Sequence, residues 1–383
     1  MRPRPVAFAC AAIALAVCGV AVVASIADRG WKVSTLVRMS DTEPMAKIAR
    51  EADPSFSFVN PAAHYDGVYF YAIARDPFAR GEAHLLIDRP AYRYGHAGYG
   101  WLGWIASAGR ARFVPAALLA LGLAGAAVAA FVASVLAAEI RRSPWWGLVA
   151  AFSPGVVYAV TADVSEPVAL AAILLALLAW HRRRWGWAAI GLAAGCLIKE
   201  PLLLFPVGLA VWEVIRFLRG DRPADLVKRA AALVIGPILF GVWFLYLEGR
   251  FGVFPFQQGR DLLSAPFAGW IDTFHRAAAL TNNTFDQMQI GTAIIALLAI
   301  LGVALLLGLL QALRFRWWVD SIFVFVGLLT FMFGWLQLLY PKDLIRELTV
   351  PLVLLPAVLA GPVAAVDEDT GELGGLPLNR AAG

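Results

Sequence analysis

The chain has 383 residues, of which 60% are hydrophobic and 15% charged, and its mean hydropathy is +0.70. This balance excludes an ordinary soluble domain and indicates a protein whose main solvent is the lipid bilayer. The net charge of +5 does not indicate a nucleic-acid partner, because the basic residues stand in short clusters between apolar runs. The three cysteines lie within apolar runs, which excludes a disulfide framework.

The first apolar run, 6–27, follows Arg2 and Arg4. A signal peptide is the alternative reading, because Ser25 to Ala27 would suit a cleavage site. The run is longer than the roughly 7 to 15 residues of a signal core, however, and approaches the roughly 20 that span a bilayer. We therefore predict a retained transmembrane helix.

Apolar runs of spanning or nearly spanning length recur along the chain. They lie at 6–27, 113–138, 145–162, 165–180, 185–198, 201–218, 230–248, 288–313, 317–340 and 347–366. The sequence thus predicts an all-α integral membrane protein with about ten transmembrane helices in a single domain, residues 1–366. Pro154, Pro167 and Pro201 make the middle boundaries uncertain and allow a broken or re-entrant helix there.

Basic clusters give the orientation, because short cytoplasmic loops are enriched in Lys and Arg. If ten helices are counted, the clusters fall on one side: Arg2 and Arg4, Arg141 and Arg142, Arg182 to Arg184, Arg216 to Arg229, and Arg314 with Arg316. This side is predicted to be the cytoplasm, with both termini inside. The acidic, Gly-rich tail, 367–383, is predicted to be cytoplasmic and disordered.

Two long segments, 28–112 and 249–287, fall on the opposite side of the membrane in this count. Structureless loops of such length are uncommon unless they are functional. The first segment contains Tyr65 to Ala74 and Tyr92 to Trp104, where Tyr and Trp alternate with apolar residues. That composition predicts interfacial helices with their aromatic rings at headgroup level.

The most informative motif is His64-Tyr65-Asp66-Gly67, which precedes an aromatic helix. By physics alone, an acid at this position is an N-cap that accepts hydrogen bonds from free helix amides. Its location beside the membrane surface also suits a reacting carboxylate. The residues themselves leave both readings open.

This motif and a second block, Leu86 to Tyr94, resemble the first outer loop of the GT-C superfamily of integral membrane glycosyltransferases. The resemblance covers the helix layout and residues 60–105, and is strongest to bacterial relatives of the PIG-V and phosphatidylinositol-mannoside mannosyltransferases. Gly98-Tyr99-Gly100 stands where a Tyr-Pro step is expected in that family. The resemblance implies transfer of a sugar, with mannose favoured, from a polyprenyl-phosphate donor to a lipid or cell-envelope glycan acceptor.

The resemblance also implies inversion at the anomeric carbon, so that a single general base suffices. Asp66 matches the family's acidic position and is our candidate base, with a pKa that burial can raise. His64 could assist it or bind the acceptor, although a lone His in such a place is more often structural. Bilayer lipid, the donor and the acceptor are the expected partners, at the outer face of a bacterial cytoplasmic membrane.

A phosphate leaving group needs nearby cations on the outer side of the membrane. The basic candidates are Arg89, Arg93, Lys199, Lys342 and Arg346, and the other substrate-binding candidates are Tyr65, Asp88, Glu166 and Glu200. Basic residues at helix ends can also merely extend to the interface. The sequence shows no metal-binding spacing, so we expect no metal cofactor; a divalent cation shared by Asp66 and Asp88 is the alternative.

Two other classes of function stay open at this point. A secondary transporter or lipid flippase typically shows repeat symmetry and polar residues at the bilayer midplane. Here the ionisable residues instead cluster at helix ends, beside an asymmetric outer loop. A non-catalytic scaffold for envelope assembly would be marked by tolerance of Asp66→Ala. The sugar, the acceptor and the oligomeric state do not follow from the sequence.

Overall fold

The computed structural model describes residues 3–281 and 284–362, and the prediction of an all-helical architecture is confirmed within them. In these ranges, extended pairing is confined to two isolated bridges, Ser40 with Val59 and Leu263 with Phe333. The predicted disordered tail, 367–383, lies outside the described residues.

Nineteen α-helices occur in the described ranges. They are α1 (Pro3–Ile26), α2 (Met45–Ala52), α3 (Gly67–Arg75), α4 (Pro90–Gly95), α5 (Gly98–Ala106), α6 (Val114–Glu139), α7 (Gly147–Ala151), α8 (Pro154–Val160), α9 (Glu166–His181), α10 (Trp185–Ile198), α11 (Leu204–Leu218), α12 (Leu226–Phe251), α13 (Pro255–Gln258), α14 (Ala268–Leu280), α15 (Phe285–Ala312), α16 (Trp318–Thr330), α17 (Trp335–Leu338), α18 (Pro341–Glu347) and α19 (Thr349–Ala360).

Five helical stretches in the described part of the chain are long and apolar enough to cross a membrane. They contain α1, α6, α11, α12 and α15. Four shorter apolar helices, α9, α10, α16 and α19, pack among them. These lengths and compositions support a bilayer environment for the protein.

The predicted run 145–162 is not one continuous helix. It is divided into α7 and α8 at Phe152 and Ser153, and Ser153 is extended because the ring of Pro154 disfavours helical geometry in the preceding residue. The run 317–340 is divided as well, since α16 ends at Thr330 and the short α17 begins only at Trp335. Both interruptions leave short connections rather than straight spans.

Small residues bring the apolar helices close together. A Cβ atom on Gly125 of α6 would lie 2.8 Å from the backbone of Pro167 in α9, and one on Gly191 of α10 would lie 2.8 Å from Ala176 in α9. Glycine at such positions permits direct backbone contact between helices in a membrane. Neighbouring helices α6, α9 and α10 therefore form a tightly packed centre.

The long segment 28–112 folds into the protein rather than lying along its surface. Tyr71, Tyr94 and Tyr99 are almost fully buried, whereas an interfacial belt would expose its rings to headgroups. Their polar atoms have internal partners, as buried tyrosines require: the Tyr99 hydroxyl donates to the Leu118 carbonyl at 2.8 Å, and the Tyr94 hydroxyl donates to the Asp76 carbonyl at 2.7 Å. Helices occur where interfacial ones were predicted, but these three tyrosines form core, while Trp104 stays exposed.

Charged residues divide between the two ends of the helix bundle. The turn Arg182–Arg184 follows the end of α9, and its neighbour Arg229 binds Glu213 at 2.8 Å. At the other end of α9 and α10, Glu166 and Lys199 come together. The cavity described next lies at this second end.

Candidate functional site

A cavity of about 360 Å³ opens where the start of α3, the start of α9, the end of α10 and the end of α18 meet. One side of its wall is apolar and includes Phe70, Leu203, Leu204, Leu263, Leu329 and Phe333. The charged side chains on the wall are Asp66, Arg93, Glu166, Lys199, Glu200, Arg260, Arg346 and Glu347. Residues of both long outer segments contribute, since Asp66 belongs to the first and Arg260 to the second.

Asp66 is held in place by the glycine that follows it. A Cβ atom on Gly67 would lie 2.7 Å from the Val37 carbonyl oxygen and closer still to that of Ala162, so only glycine allows the start of α3 to approach these chains. Asp66 stands at the N-cap position, but its side chain makes no capping hydrogen bond. The capping interpretation therefore does not account for this carboxylate.

Two arginines bind the Asp66 carboxylate instead. Arg346 Nη1 lies 2.6 Å from Oδ2, and Arg93 Nη1 lies 3.2 Å from Oδ1. Burial by itself would raise the pKa of Asp66, but the two guanidinium groups outweigh it and hold the pKa well below its ordinary value. Burial acts on this pKa in the expected direction, but the two arginines keep Asp66 ionised and paired.

A second group of ions continues behind Asp66. Lys199 Nζ lies 2.7 Å from Glu166 Oε1 and 3.2 Å from Glu347 Oε2, and Arg346 Nη2 lies 2.9 Å from Glu347 Oε1. Arg346 Nε also lies 3.3 Å from Glu166 Oε1. Burial would raise the pKa of Glu347, yet Lys199 and Arg346 lower it below its ordinary value. Residues far apart in the chain are thus joined into one paired network.

The three cations of this network face four carboxylates. Arg93, Lys199 and Arg346 pair with Asp66, Glu166 and Glu347, and Arg93 also lies 3.4 Å from Asp88. A buried charge is costly unless it is paired, which explains why the members are so tightly matched. An incoming anion must therefore share or replace a carboxylate on one of these cations.

Arg93 also connects the cavity to Asp88. Its Nη2 lies 3.4 Å from Asp88 Oδ2, and its guanidinium stands 3.5 Å from the centre of the Tyr69 ring. The guanidinium thus lies between the two carboxylates that were considered for a shared divalent cation. The described residues contain no group of three or more His, Cys, Asp and Glu side chains placed to hold a metal.

Several polar atoms of the wall lack a hydrogen-bond partner among the described residues. They include Glu200 Oε1, Gln337 Oε1 and Arg93 Nε, all of them inaccessible at the atom itself. His96 Nδ1 lies 3.9 Å from Glu200 Oε1, a distance too long for a hydrogen bond. Buried polar atoms are normally paired, so these atoms mark places where a ligand can bind.

Six of the eleven predicted site residues line the cavity: Asp66, Arg93, Glu166, Lys199, Glu200 and Arg346. The other five lie outside its wall. His64 pairs with Glu43 at 2.7 Å, Arg89 forms a two-point ion pair with Asp261 at 2.8 and 2.9 Å, and Asp88 contacts the cavity only through Arg93.

Tyr65 and Lys342 form a separate contact beside the cavity. The Tyr65 hydroxyl donates to Asp343, and Lys342 Nζ stands 4.4 Å from the centre of the Tyr65 ring. The Arg346 guanidinium lies 5.1 Å from the same ring. Tyr65 therefore supports the orientation of Arg346 from outside the wall.

Several polar residues of the wall were not predicted from the sequence, among them His96, Arg260, Gln337 and Glu347. Glu347 was counted as the first residue of the apolar run 347–366, although an acid directly after Arg346 was a signal of pairing. Gln337 lay inside the run 317–340, and a lone amide gives no signal in a window of apolar residues. His96 and Arg260 carry no motif that marks them.

Comparison of the chain with protein-family models, with curated proteins and with solved structures gives no match. The assignment of function accordingly depends on the chemistry of the cavity.

Proposed function

We propose that the protein is an inverting glycosyltransferase that moves a sugar from a polyprenyl-phosphate donor to a lipid or cell-envelope glycan acceptor. The observation that carries this proposal is Asp66, a carboxylate on the wall of the cavity, held between two guanidinium groups beside an apolar surface. A carboxylate can accept the acceptor's proton, cations can bind the donor's phosphate, and the apolar wall can take the prenyl chain. Mannose is the sugar that the sequence resemblance favours.

In this reaction, the acceptor hydroxyl oxygen attacks the anomeric carbon of the donor sugar. The new carbon–oxygen bond forms as the bond from that carbon to the phosphate oxygen breaks, so that polyprenyl phosphate leaves. Asp66 takes the hydroxyl proton. Arg346, Lys199 and Arg93 stabilise the charge that develops on the phosphate.

The paired network adds an order to these events. Asp66 in its ion pairs is a weak base, because its pKa is held well below its ordinary value by Arg346 and Arg93. A donor phosphate that binds Arg346 and Arg93 draws them away from Asp66. Donor binding thereby frees the carboxylate and makes it a stronger base when the acceptor arrives.

We place the protein in a bacterial cytoplasmic membrane, with ten spans, both termini in the cytoplasm and the cavity on the outer face. The five long apolar helices and the four shorter ones support nine of these spans, and α7 with α8 would form a broken tenth. The separation of the Arg182–Arg184 turn from the cavity end supports this orientation.

Sugar transfer tests the proposal directly. Protein reconstituted in lipid is incubated with a panel of radiolabelled polyprenyl-phosphate sugars and envelope lipid extract, with Asp66→Asn compared with wild type. We expect transfer by wild type from one donor and a loss of about a hundred-fold or more in Asp66→Asn. Glu43→Gln is the matched control and should transfer normally, because it neutralises a carboxylate outside the cavity wall, bound to His64 and to the Ser40 backbone N–H.

Each other result would exclude part of the proposal. Transfer that persists in Asp66→Asn would exclude Asp66 as the base. No transfer by wild type with any donor would exclude the glycosyltransferase assignment and favour a transporter or a scaffold.

A further inference from the structure

Glu200 and Gln337 line the same cavity, and each has a side-chain oxygen atom without a hydrogen-bond partner among the described residues. Glu200 begins the turn before α11, and Gln337 lies in α17, more than a hundred residues later. Their Oε1 atoms are buried and have no hydrogen-bond partner among the described residues, although both side chains line the wall. Two buried acceptors on one surface call for a ligand that brings donors.

The position of Glu200 is built into the fold. A Cβ atom on Gly95 would lie 2.6 Å from Glu200 Oε1, so the glycine at the end of α4 makes room for this oxygen. Glu200 takes no part in the network around Lys199 and Arg346, where every other acidic side chain of the wall is paired. Its nearest charged contact among the described residues is His96 Nδ1 at 3.9 Å, which leaves the carboxylate without a hydrogen-bonded cation.

The chemistry of the surrounding wall distinguishes among ligand classes. A hard cation such as Ca²⁺ can bind carboxylate and amide oxygens alike, but it takes about six or more oxygen ligands, and the described residues hold no group of three or more His, Cys, Asp and Glu side chains placed for a metal. Hydroxyl groups donate to both oxygens, and a hydroxyl oxygen can also accept from Arg93 Nε, the unpaired donor on the same wall. Tyr92 and Phe70 supply aromatic surface for the carbon–hydrogen faces of a ring.

We propose that Glu200 and Gln337 bind hydroxyl groups of the transferred sugar and select among sugars by hydroxyl configuration. This inference rests on the proposed function and deepens it, because it divides the cavity into a phosphate side and a sugar side. The phosphate side consists of Arg346, Lys199 and Arg93. A sugar whose hydroxyls do not reach both oxygens would leave a buried acceptor unpaired, which costs affinity.

The test compares two probes in lipid nanodiscs: farnesyl phosphate, and farnesyl-phosphoryl hexoses that differ in the configuration of single hydroxyls. We expect Glu200→Gln and Gln337→Leu to weaken binding of the preferred hexose probe by about ten-fold. Binding of bare farnesyl phosphate should stay within about two-fold of wild type, since neither residue would touch the phosphate. Each variant should also discriminate less among the hexoses.

Matched controls are Glu82→Gln and Gln289→Leu, which change the same residue types at exposed positions outside the cavity wall. Retained binding of farnesyl phosphate shows that a variant is folded, and Glu200→Asp provides a second variant that keeps the charge. Equal losses for both probes, or no loss for the hexose probe, would overturn the inference. Absence of sugar transfer with hexose selectivity intact would instead exclude the proposed function and leave this sugar site standing.

Discussion

Arg346 has three carboxylates around it, from Asp66, Glu166 and Glu347, and so joins residues from three parts of the chain. Together with Arg93 it decides how readily Asp66 accepts a proton. Burial and the guanidinium groups act in opposite directions on the pKa of Asp66, and the guanidinium groups prevail. The pairing can be measured through its effect on stability at low pH.

The substitution Arg93→Gln removes one of the two cations and should move the pKa of folded Asp66 upward. A carboxylate whose pKa is lower in the folded than in the unfolded protein stabilises the fold above its unfolded pKa of about 3.9 and loses that contribution as the pH falls toward the folded value. If the difference between the folded and unfolded pKa of Asp66 is smaller, the stability that is lost on acidification is smaller too. We therefore expect the unfolding temperature to fall less between about pH 6 and about pH 2.5 in Arg93→Gln than in wild type.

Thermal unfolding in detergent across this pH range provides the measurement. Asp88→Asn is the control, because it removes the other partner of Arg93 and leaves the pair with Asp66 intact. The control should show the wild-type fall. An Arg93→Gln protein as acid-sensitive as wild type would contradict the role given to Arg93.

The sequence predicted those site residues that lie at the end of an apolar run or within a motif. Lys199 and Arg346 lie at the ends of apolar runs, where an ion is conspicuous, and Asp66 lies in a motif. The sequence did not predict which residues pair with Asp66. Asp66 and Arg346 are brought together by the packing of α3 against the connection before α9 and of α8 against α18. The pKa of Asp66 depends on these distant cations, and the sequence did not show that they outweigh the effect of burial.

Among the elements, α3 depends most on a single residue. Gly67→Ala would force a methyl group against the Ala162 and Val37 carbonyls, both of them backbone atoms that cannot turn aside. We expect a loss of about 1 to 3 kcal/mol in stability and a larger loss of sugar transfer, because the shift would move Asp66 away from Arg346. Thermal unfolding and the transfer assay measure the two effects.

Gly241→Ala is the matched control for this prediction. Gly241 lies in α12, and a Cβ atom there would meet nothing within 4 Å. Alanine should be neutral or slightly stabilising, since glycine is the weaker helix former by about 1 kcal/mol. If Gly67→Ala behaves like this control, close packing does not position Asp66.

Hydropathy located the helices of this protein well because a bilayer leaves few alternatives to a helical backbone. Hydropathy did not locate the break between α7 and α8 at Phe152 and Ser153, although Pro154 indicated that a helix could be broken nearby. Nor did it reveal that Tyr71 and Tyr99 point inward. Tyr and Trp occur both at membrane interfaces and in protein cores, so their presence does not separate the two. The packing of α3 and α5 on α6 is what places these rings in the core.

For the whole molecule, the ten-span arrangement makes a simple prediction about the two ends. In a Glu82→Cys variant, the new cysteine lies in segment 28–112 and should react with a membrane-impermeant maleimide in intact cells. Cysteine at Arg222, between α11 and α12, should react only after permeabilisation. The native Cys10, Cys18 and Cys196 are buried, so they should not react with the maleimide.

Unsubstituted protein is the control for this labelling and should remain unlabelled in both conditions. Reaction of both introduced cysteines from the same side would contradict an arrangement of ten spans, because these positions are separated by five of them. Reaction with the sides exchanged would reverse the orientation and place the cavity in the cytoplasm.

The segments 28–112 and 249–287 contact each other through polar groups beside the cavity. Arg89 and Asp261 join these segments through an ion pair in which both side chains are more than 40% exposed, and the backbone NH of Tyr92 donates to Gln258 at 3.2 Å. An exposed pair of this kind holds its partners by only about 0 to 1 kcal/mol. The ion pair therefore adds little to the hold on the wall that carries Arg260, and that hold depends instead on backbone hydrogen bonds from Ser264 N–H to the Met332 carbonyl at 2.7 Å and from Gly334 N–H to the Leu262 carbonyl at 2.8 Å.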